Sequence, residues 1–199
     1  MKKIIYSVLV GPYDTVAPAV PFDGWEYVLY TDQPITPEGW QIRPLEWTCG
    51  CPIRTSRYNK ILMPPEADIT VYIDANMTLE ANPDTFVQEG IGLRLHPSRT
   101  NVLEEAAAII EQRLDTLTNV MITQARFNCL HQLYEAGLIV RNGSTLLFNM
   151  AWWNAYSFAS HRDQLTLPYV IQANRIQPYI IHRSVVTYSK KHQATPQTA

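Results

Sequence analysis

Residues 69–76 have the sequence ITVYIDAN, a run of β-branched and aromatic residues that ends in an acid and an amide. A continuous apolar run of this length is typical of a strand that is covered on both faces in an α/β sheet. In open α/β sheets, ligands bind beyond the carboxyl ends of the strands. The stretch therefore predicts an α/β fold in which Asp74 lies at a ligand-binding edge. The alternative is that Asp74 caps a turn before Thr78.

A carboxylate at such an edge is suited to hold a hard divalent cation. Oxygen ligands select Mg²⁺ or Mn²⁺, and these ions typically take one or two carboxylates together with the phosphate oxygens of a substrate. Asp74 is therefore a candidate metal ligand.

Length and charge limit the possible organisation and partners. The chain has 199 residues with 46% hydrophobic composition, which predicts one domain over residues 1–183 and a polar tail over residues 184–199. The formal net charge is −2, and no cluster of Lys and Arg alternates with aromatic residues. This composition disfavours a nucleic-acid partner and an anionic membrane surface.

The amino terminus and the cysteines indicate a cytoplasmic protein. Residues 1–10 resemble a signal peptide in having two lysines before an apolar stretch, but the stretch is short and lacks a small-residue cleavage site. We interpret it as the first strand, and no segment is long enough to span a membrane. Three cysteines, an odd number, favour reduced thiols, and Cys49 with Cys51 lacks the second ligand pair that a zinc site needs.

Strand and helix patterns alternate from the start of the chain. Hydrophobic spacing and Pro/Gly punctuation predict strands at 3–10, 26–30, 41–45, 69–73, 91–95, 138–141, 145–148 and 179–182. Helices are predicted at 52–63, 83–88, 102–114, 120–134, 151–158 and 162–173. Pro64 and Pro65 end the first helix, and Gly137 ends the helical pattern that begins near residue 120.

Three separated stretches together resemble one known family. Residues 54–76 (RTSRYNKILMPPEADITVYIDAN), 96–106 (HPSRTNVLEEA) and 162–170 (RDQLTLPYV) resemble the mucilage-related glycosyltransferase-like family. That family has an Arg-x-x-Lys helix before a strand ending in Asp-Ala-Asn, then His-Pro-x-Arg with an acidic pair, then Arg-Asp-Gln-Leu. The match covers most of the chain, and the motifs are more specific together than singly.

The same order is more distantly similar to the family-eight glycosyltransferases. These enzymes have the A-type nucleotide-sugar fold, a Rossmann-like mixed sheet flanked by helices, and they bind a metal through a Tyr-Leu-Asp-x-Asp strand and a late histidine. Residues 72–76 match this strand, except that the second acid is an asparagine. The resemblance implies Asp74 and His182 as ligands of Mn²⁺ or Mg²⁺, with Asn76 as a weaker neutral ligand.

Transfer of a sugar from a nucleoside diphosphate leaves negative charge on the departing oxygen and positive charge at the sugar carbon. Arg57 and Lys60 lie on adjacent faces of one predicted helix and are candidate partners of the diphosphate. Without the family resemblance, a solvated helix face would be the preferred interpretation of these two residues.

The resemblance also implies residues that contact the sugar. Asp163 is expected either to act as a base for the incoming hydroxyl or to orient the hydroxyls of the donor, and Gln164 to stabilise the positive carbon through its amide oxygen. Arg141 and Arg162 are further candidate substrate-binding residues. A helix cap is the alternative for Asp163 and Gln164.

Further candidates line the expected cleft. His96, Arg99 and Glu105 match the middle motif and are expected on the acceptor side, the alternatives being a loop histidine and a solvated glutamate. Tyr13 and Asp32 follow the first two strands, where this fold holds base and ribose, although both also suit ordinary turns. At least one of the pair Trp152 and Trp153 is expected in the core.

The sequence therefore predicts a hexosyl- or pentosyltransferase that uses a nucleoside diphosphate donor, with UDP-sugars expected first. The acceptor remains open among a glycan, a protein, a small molecule and a modified base. A sugar nucleotidyltransferase is the second candidate, but it would need a Gly-rich loop where this chain has Gly11 and Pro12. A non-catalytic nucleotide- or carbohydrate-binding module of the same fold is the third, and Asn76 keeps it open. A metal-dependent hydrolase would need more His and acid ligands.

Overall fold

Strands and helices alternate along much of the chain. The computed structural model describes residues 1–12, 14–127, 129, 131–158 and 160–188. The strands are β1 (Lys3–Leu9), β2 (Glu26–Thr31), β3 (Gln41–Arg43), β4 (Ile69–Ile73), β5 (Met77–Leu79), β6 (Gly90–Leu95), β7 (Tyr134–Asn142), β8 (Tyr179–Ile180) and β9 (Val186–Tyr188). The α-helices are α1 (Pro52–Ile61), α2 (Val102–Glu111), α3 (Leu117–Phe127), α4 (Leu146–Tyr156) and α5 (Leu167–Ala173), and short 3-10 helices cover Pro83–Thr85, Asp163–Leu165 and Arg183–Val185. Within these residues, no helix combines the length and apolar character required to cross a membrane.

A seven-stranded mixed sheet, formed by described residues in the order β3-β2-β1-β4-β7-β6-β8, is the centre of the fold. Strands β3, β2, β1 and β4 are parallel to one another. Strand β7 is antiparallel to both of its neighbours, β4 and β6, while β8 is parallel to β6. The predicted α/β class with a mixed sheet is confirmed, and the arrangement is compatible with a Rossmann-like fold.

The sheet changes its direction of growth between β1 and β4. The chain first moves outward from β1 to β2 and β3, and then returns through α1 to place β4 on the other side of β1. In open α/β sheets, ligands bind outside the carboxyl ends of the strands at such a switch point. Asp74 follows β4 directly and so lies beside this position.

Strand β4 is covered on both faces, as its continuous apolar sequence predicts. All five of its residues are buried. Tyr72 belongs to the hydrophobic cluster on one face together with Tyr6 and Ile139, and Val71 belongs to the cluster on the other face. Because alternate residues of a strand point to opposite faces, Tyr72 and Asp74 share a face.

The prediction of a helix over residues 120–134 is wrong in its second half. Helix α3 ends at Phe127, and Tyr134 begins the long strand β7. Gly137 lies inside this strand and does not end a helix. Pairing of β7 with both β4 and β6 outweighs the local helical spacing, because these non-local contacts satisfy the strand's backbone groups on both sides.

The predicted strand at 145–148 is also wrong, because most of this segment forms the first turn of α4. Short apolar runs do not distinguish a buried helix from a strand. Here the helix carries Trp152 into the centre of the core, where the side chain is fully buried. The prediction that one of the two neighbouring tryptophans belongs to the core is confirmed.

A small second sheet was not predicted. Strand β5 pairs antiparallel with β9, with Met77 opposite Tyr188. Strand β9 lies beyond residue 183, where we expected the polar tail to begin, and residues 189–199 lie outside the described part of the chain. The pairing brings the chain after β8 back to the turn that follows Asp74.

Candidate functional site

The carboxyl ends of β1, β2 and β4 meet at one edge of the sheet because these strands are parallel. Gly11 and Asp32 follow β1 and β2, and the Gly11 N–H donates to Asp32 Oδ1 at 2.8 Å. Asp32 is exposed, and Gln33 Nε2 also donates to its Oδ1. Tyr13, which we predicted to stack on the base, lies outside the described residues.

Asp74 is held in a tight turn at this edge. Its N–H donates to the Gly137 carbonyl, and its carbonyl accepts from the Met77 N–H, both at 2.9 Å. The Tyr72 hydroxyl donates to Asp74 Oδ1 at 2.7 Å. Burial raises the pKa of Tyr72 well above its ordinary value, and the Asp74 charge acts in the same direction, so the hydroxyl remains a donor.

Gly137 allows the Asp74 side chain to lie against β7. A Cβ atom at this position would approach Asp74 Oδ2 to 2.9 Å, so even alanine would push the carboxylate away. Neither Gly137 nor Tyr72 was predicted from the sequence as part of the site. Two signals were available in the sequence. Tyr72 and Asp74 are two residues apart and so share a face of the strand, and a glycine within an apolar strand often marks a place where another group approaches the backbone closely.

Helix α1 contributes a buried ion cluster beside Asp74. Lys60 Nζ lies 2.7 Å from Asp163 Oδ2, and Arg57 Nε lies 3.3 Å from the same oxygen. Lys60 is 1% exposed, and its ammonium also lies over the Tyr72 ring at 4.8 Å. The solvated helix face, which was the alternative for these residues, is therefore wrong for Lys60.

The two cations determine the charge state of Asp163. Burial alone would raise the pKa of the carboxyl, but Arg57 and Lys60 hold it well below its ordinary value. For Arg57, burial would lower the pKa, but the charges of Asp163 and Asp74 raise it. Asp163 is therefore a persistent carboxylate and a weak base.

The end of α1 explains where Arg141 lies. The Lys60 carbonyl would accept from the residue four positions later, but this residue is Pro64, which has no N–H. The carbonyl instead accepts from the Tyr6 hydroxyl at 2.8 Å and from Arg141 Nη2 at 3.2 Å. Arg141 is buried opposite Thr70, near the start of β4. It supports α1 and does not reach the edge where we predicted a substrate contact.

A second polar cluster follows β6 and contains His96, Arg99 and Glu105. Arg99 Nε lies 2.5 Å from Glu105 Oε2, and Arg99 Nη2 lies 2.9 Å from His96 Nε2. Glu105 is 1% exposed, which excludes the solvated face that was its alternative. Gln164 Nε2 donates to Glu105 Oε1 at 3.4 Å, so the 3-10 helix with Asp163 joins the two clusters.

His96 is a neutral member of this cluster. Its Nδ1 accepts from the backbone N–H groups of Ser98 and Arg99, which closes the turn after β6. Burial lowers the pKa of His96 to about 4, and the charges of Arg99 and Arg183 act in the same direction. The imidazole therefore carries no charge near neutral pH.

The loop before Asp163 is fixed by Asp115, which was not predicted from the sequence. Asp115 Oδ2 accepts from Ser160 Oγ at 2.8 Å and from the His161 N–H at 2.6 Å. Arg162 follows this loop and is half-buried, and its charge also lowers the pKa of Asp163. No local sequence signal links Asp115 to a loop that lies 45 residues later.

The three predicted metal ligands differ in their surroundings. Asn76 is buried in the turn after Asp74, whereas His182 is exposed, with Nδ1 2.8 Å from Ser184 Oγ. Strand β8, which precedes His182, lies three strand positions from β4, or about 14 Å at ordinary strand spacing. Among the described residues, no three His, Cys, Asp or Glu side chains group closely enough to hold a metal ion. The three-ligand set remains a prediction.

The structure thus assembles most of the predicted residues into one connected group. Asp74 lies beside Arg57, Lys60 and Asp163, and Gln164 extends this group to the cluster of Arg99. Two shallow depressions elsewhere, one around Lys2 and Asp68 and one around Trp25 and Gly39, lie near the amino ends of the strands. In comparisons with known proteins, no family model matches this chain, and no curated protein matches it.

Proposed function

We propose that this protein is a glycosyltransferase that moves a hexose or pentose from a nucleoside diphosphate donor, with UDP-sugars expected first. The observation that carries the proposal is the position of Asp74. It lies at the switch point of the sheet, next to a buried cluster that counts two cations for one carboxylate. A diphosphate needs a cationic partner on the protein. It also binds a divalent ion, which in turn needs a carboxylate such as Asp74.

Arg57 is the proposed protein partner of the diphosphate. Its Nε lies 3.3 Å from Asp163 Oδ2 and its Nη1 lies 3.5 Å from Ser56 Oγ. Among the described residues these two contacts direct the guanidinium and leave Nη2 for a phosphate oxygen. The side chain is 21% exposed, in contrast to Lys60, so a ligand can reach it. Guanidinium groups bind phosphate strongly because their donors match its oxygens in geometry and charge.

The residues fit a divalent ion that arrives with the donor. Mg²⁺ and Mn²⁺ are commonly held by one or two carboxylates together with substrate phosphates and waters, so the single carboxylate of Asp74 is sufficient. Asn76, in the turn after Asp74, is the proposed additional ligand, whereas His182 follows a strand that lies three positions from β4 and would have to move closer to take part. When bound, the ion would act as a Lewis acid on the departing diphosphate oxygen.

In the transfer step, the bond between the sugar carbon and the diphosphate oxygen breaks, and its electron pair stays on the diphosphate. A new bond forms from the acceptor oxygen to the sugar carbon, and the acceptor proton leaves to the diphosphate or to solvent. Asp163 remains ionised and orients the sugar hydroxyls, while the Gln164 amide oxygen faces the carbon that becomes positive.

Binding of nucleoside diphosphates tests this proposal directly. We expect UDP or GDP to raise the melting temperature of the protein, and Mn²⁺ to increase that shift. Asp74→Asn should abolish the Mn²⁺-dependent part while the fold is retained, because it removes the carboxylate and keeps the shape. Asp23→Asn, an exposed acid before β2, is the matched control and should behave like the wild type.

The outcomes separate the remaining functions. No shift with any diphosphate, in folded protein, would contradict the proposal. Nucleotide binding without hydrolysis or transfer of any nucleotide sugar would instead favour the non-catalytic module. Unfolding of the Asp74→Asn variant would show that this residue is structural.

A further inference from the structure

Glu105 is a carboxylate that the surrounding protein encloses almost completely. It lies in the first turn of α2 and is 1% exposed, beside a small hydrophobic cluster that includes Ala106, Ile109 and Leu165. A buried carboxylate is unfavourable unless it is paired and hydrogen-bonded. Its burial therefore calls for an explanation in terms of the groups that it contacts.

Two partners hold the two oxygens of Glu105. Oε2 accepts from Arg99 Nε at 2.5 Å, and Oε1 accepts from Gln164 Nε2 at 3.4 Å. The positive end of the α2 dipole further stabilises a negative charge in the first turn. One carboxyl oxygen is therefore committed to Arg99, and the other faces Gln164.

We infer that Glu105 is a positioning residue that sets the orientation of the Gln164 amide. A carboxylate can only accept hydrogen bonds, so Gln164 must turn its NH₂ group toward Glu105. The amide oxygen then points away from Glu105. The backbone of the preceding residue is fixed as well, because the Asp163 carbonyl accepts from Trp152 Nε1 at 3.2 Å.

This orientation matters for the proposed transfer reaction, on which the inference rests. The sugar carbon becomes positive as its bond to the diphosphate breaks. An amide oxygen beside that carbon stabilises the charge, whereas an NH₂ group there would oppose it. Glu105 therefore acts on the rate through Gln164 without touching the substrate.

Glu105→Gln should invert the Gln164 amide. The new side chain keeps an oxygen for Arg99, because a guanidinium only donates, and so it must present its own NH₂ to Gln164. Gln164 then turns its oxygen inward and its NH₂ toward the sugar. We expect kcat for hydrolysis of the donor to fall about 10-fold, with KM for the donor unchanged within about 2-fold.

The experiment measures hydrolysis of UDP-glucose, UDP-galactose and GDP-mannose, which needs no acceptor. Glu104→Gln is the matched control, since Glu104 is exposed and accepts from Thr100 and not from Gln164. We expect this control to retain the kcat of the wild type. The exchange of the two residues, Glu105→Gln with Gln164→Glu, should restore kcat to within about 3-fold, because the new carboxylate accepts from the amide now opposite it and still presents an oxygen to the sugar.

A purely structural role for Glu105 predicts no such rescue. If the wild type hydrolyses a donor and Glu105→Gln does so with the same kcat, this inference is overturned while the proposed function stands. If Glu105→Gln lowers kcat but the exchanged pair is slower still, the inference is overturned as well. If the wild type hydrolyses none of the donors, the proposed function falls, and this inference falls with it.

Discussion

Asp163 and Glu105 are both buried acids, but their surroundings differ in charge. Asp163 is shared by Lys60 and Arg57, two cations around one carboxylate. Glu105 has one cation, Arg99, one amide and a neutral imidazole at 3.8 Å. The first cluster has two cations for its own carboxylate, with the Asp74 carboxylate beside them, and this pair of cations suits an anionic ligand. The second is balanced, which suits the orientation of a neutral group such as the Gln164 amide.

The largest effect is expected from Lys60→Met, which removes a cation that is 1% exposed. Asp163 would remain buried with Arg57 alone, and breaking a buried pair from one side is strongly destabilising. We expect the free energy of unfolding to fall by about 3 kcal/mol, measured by urea denaturation. Because the methionine fills similar space, the loss reports charge and not a cavity.

Lys3→Met is the control for this prediction. Lys3 Nζ pairs with Asp84 at 2.8 Å, but both side chains are partly exposed, so the same substitution should cost less than about 1 kcal/mol. An equal decrease in the free energy of unfolding in the two variants would show that burial does not strengthen the dependence on the Lys60 ion pair. The claim that the buried Asp163 cluster depends on its cations for stability would then fail.

Arg99→Met makes the matching change in the second cluster, with a smaller expected effect. Arg99 is 27% exposed, and Glu105 keeps both the Gln164 amide and the helix dipole when the guanidinium is lost. We expect the free energy of unfolding to fall by about 1–2 kcal/mol in the same urea experiment. A loss larger than that of Lys60→Met would reverse the order of the two clusters.

The sequence predicts the framework of this site better than its connections. The apolar run before Asp74, the Pro-terminated α1 and the strand before His96 are local patterns, and the structure confirms all three. Each of these patterns is set by neighbours within a few residues, which is the range over which periodicity and turn chemistry act.

The contacts between clusters depend on residues that are distant in sequence. Lys60 meets Asp163 across 103 positions, and Gln164 meets Glu105 across 59. No period or spacing encodes these pairs. For the same reason β7 was partly predicted as a helix, since its pairing with β4 comes from a segment more than 60 residues earlier.

The smallest expected effect is a difference in the pH range over which each cluster changes the stability of the protein. Burial lowers the pKa of His96 from 6.5 to about 4, so between these values the unfolded chain binds more protons than the folded one. Stability should therefore decline as the pH falls from 6.5 toward 4. Asp163 acts below this window, because its pKa in the unfolded chain is near 3.8 and its folded value is lower still.

His96→Asn isolates the contribution of the imidazole, since an asparagine oxygen can still accept from the Arg99 N–H. We expect this variant to lose less stability than the wild type between pH 6.5 and 4, by on the order of 1 kcal/mol, a value reduced because solvent reaches part of the ring. Urea denaturation at several pH values measures this difference. If the curves of stability against pH for the two proteins are parallel down to pH 4, protonation of His96 is not linked to folding. If the curves diverge between pH 6.5 and 4 and are parallel below pH 4, the upper window belongs to His96 and the lower one to Asp163.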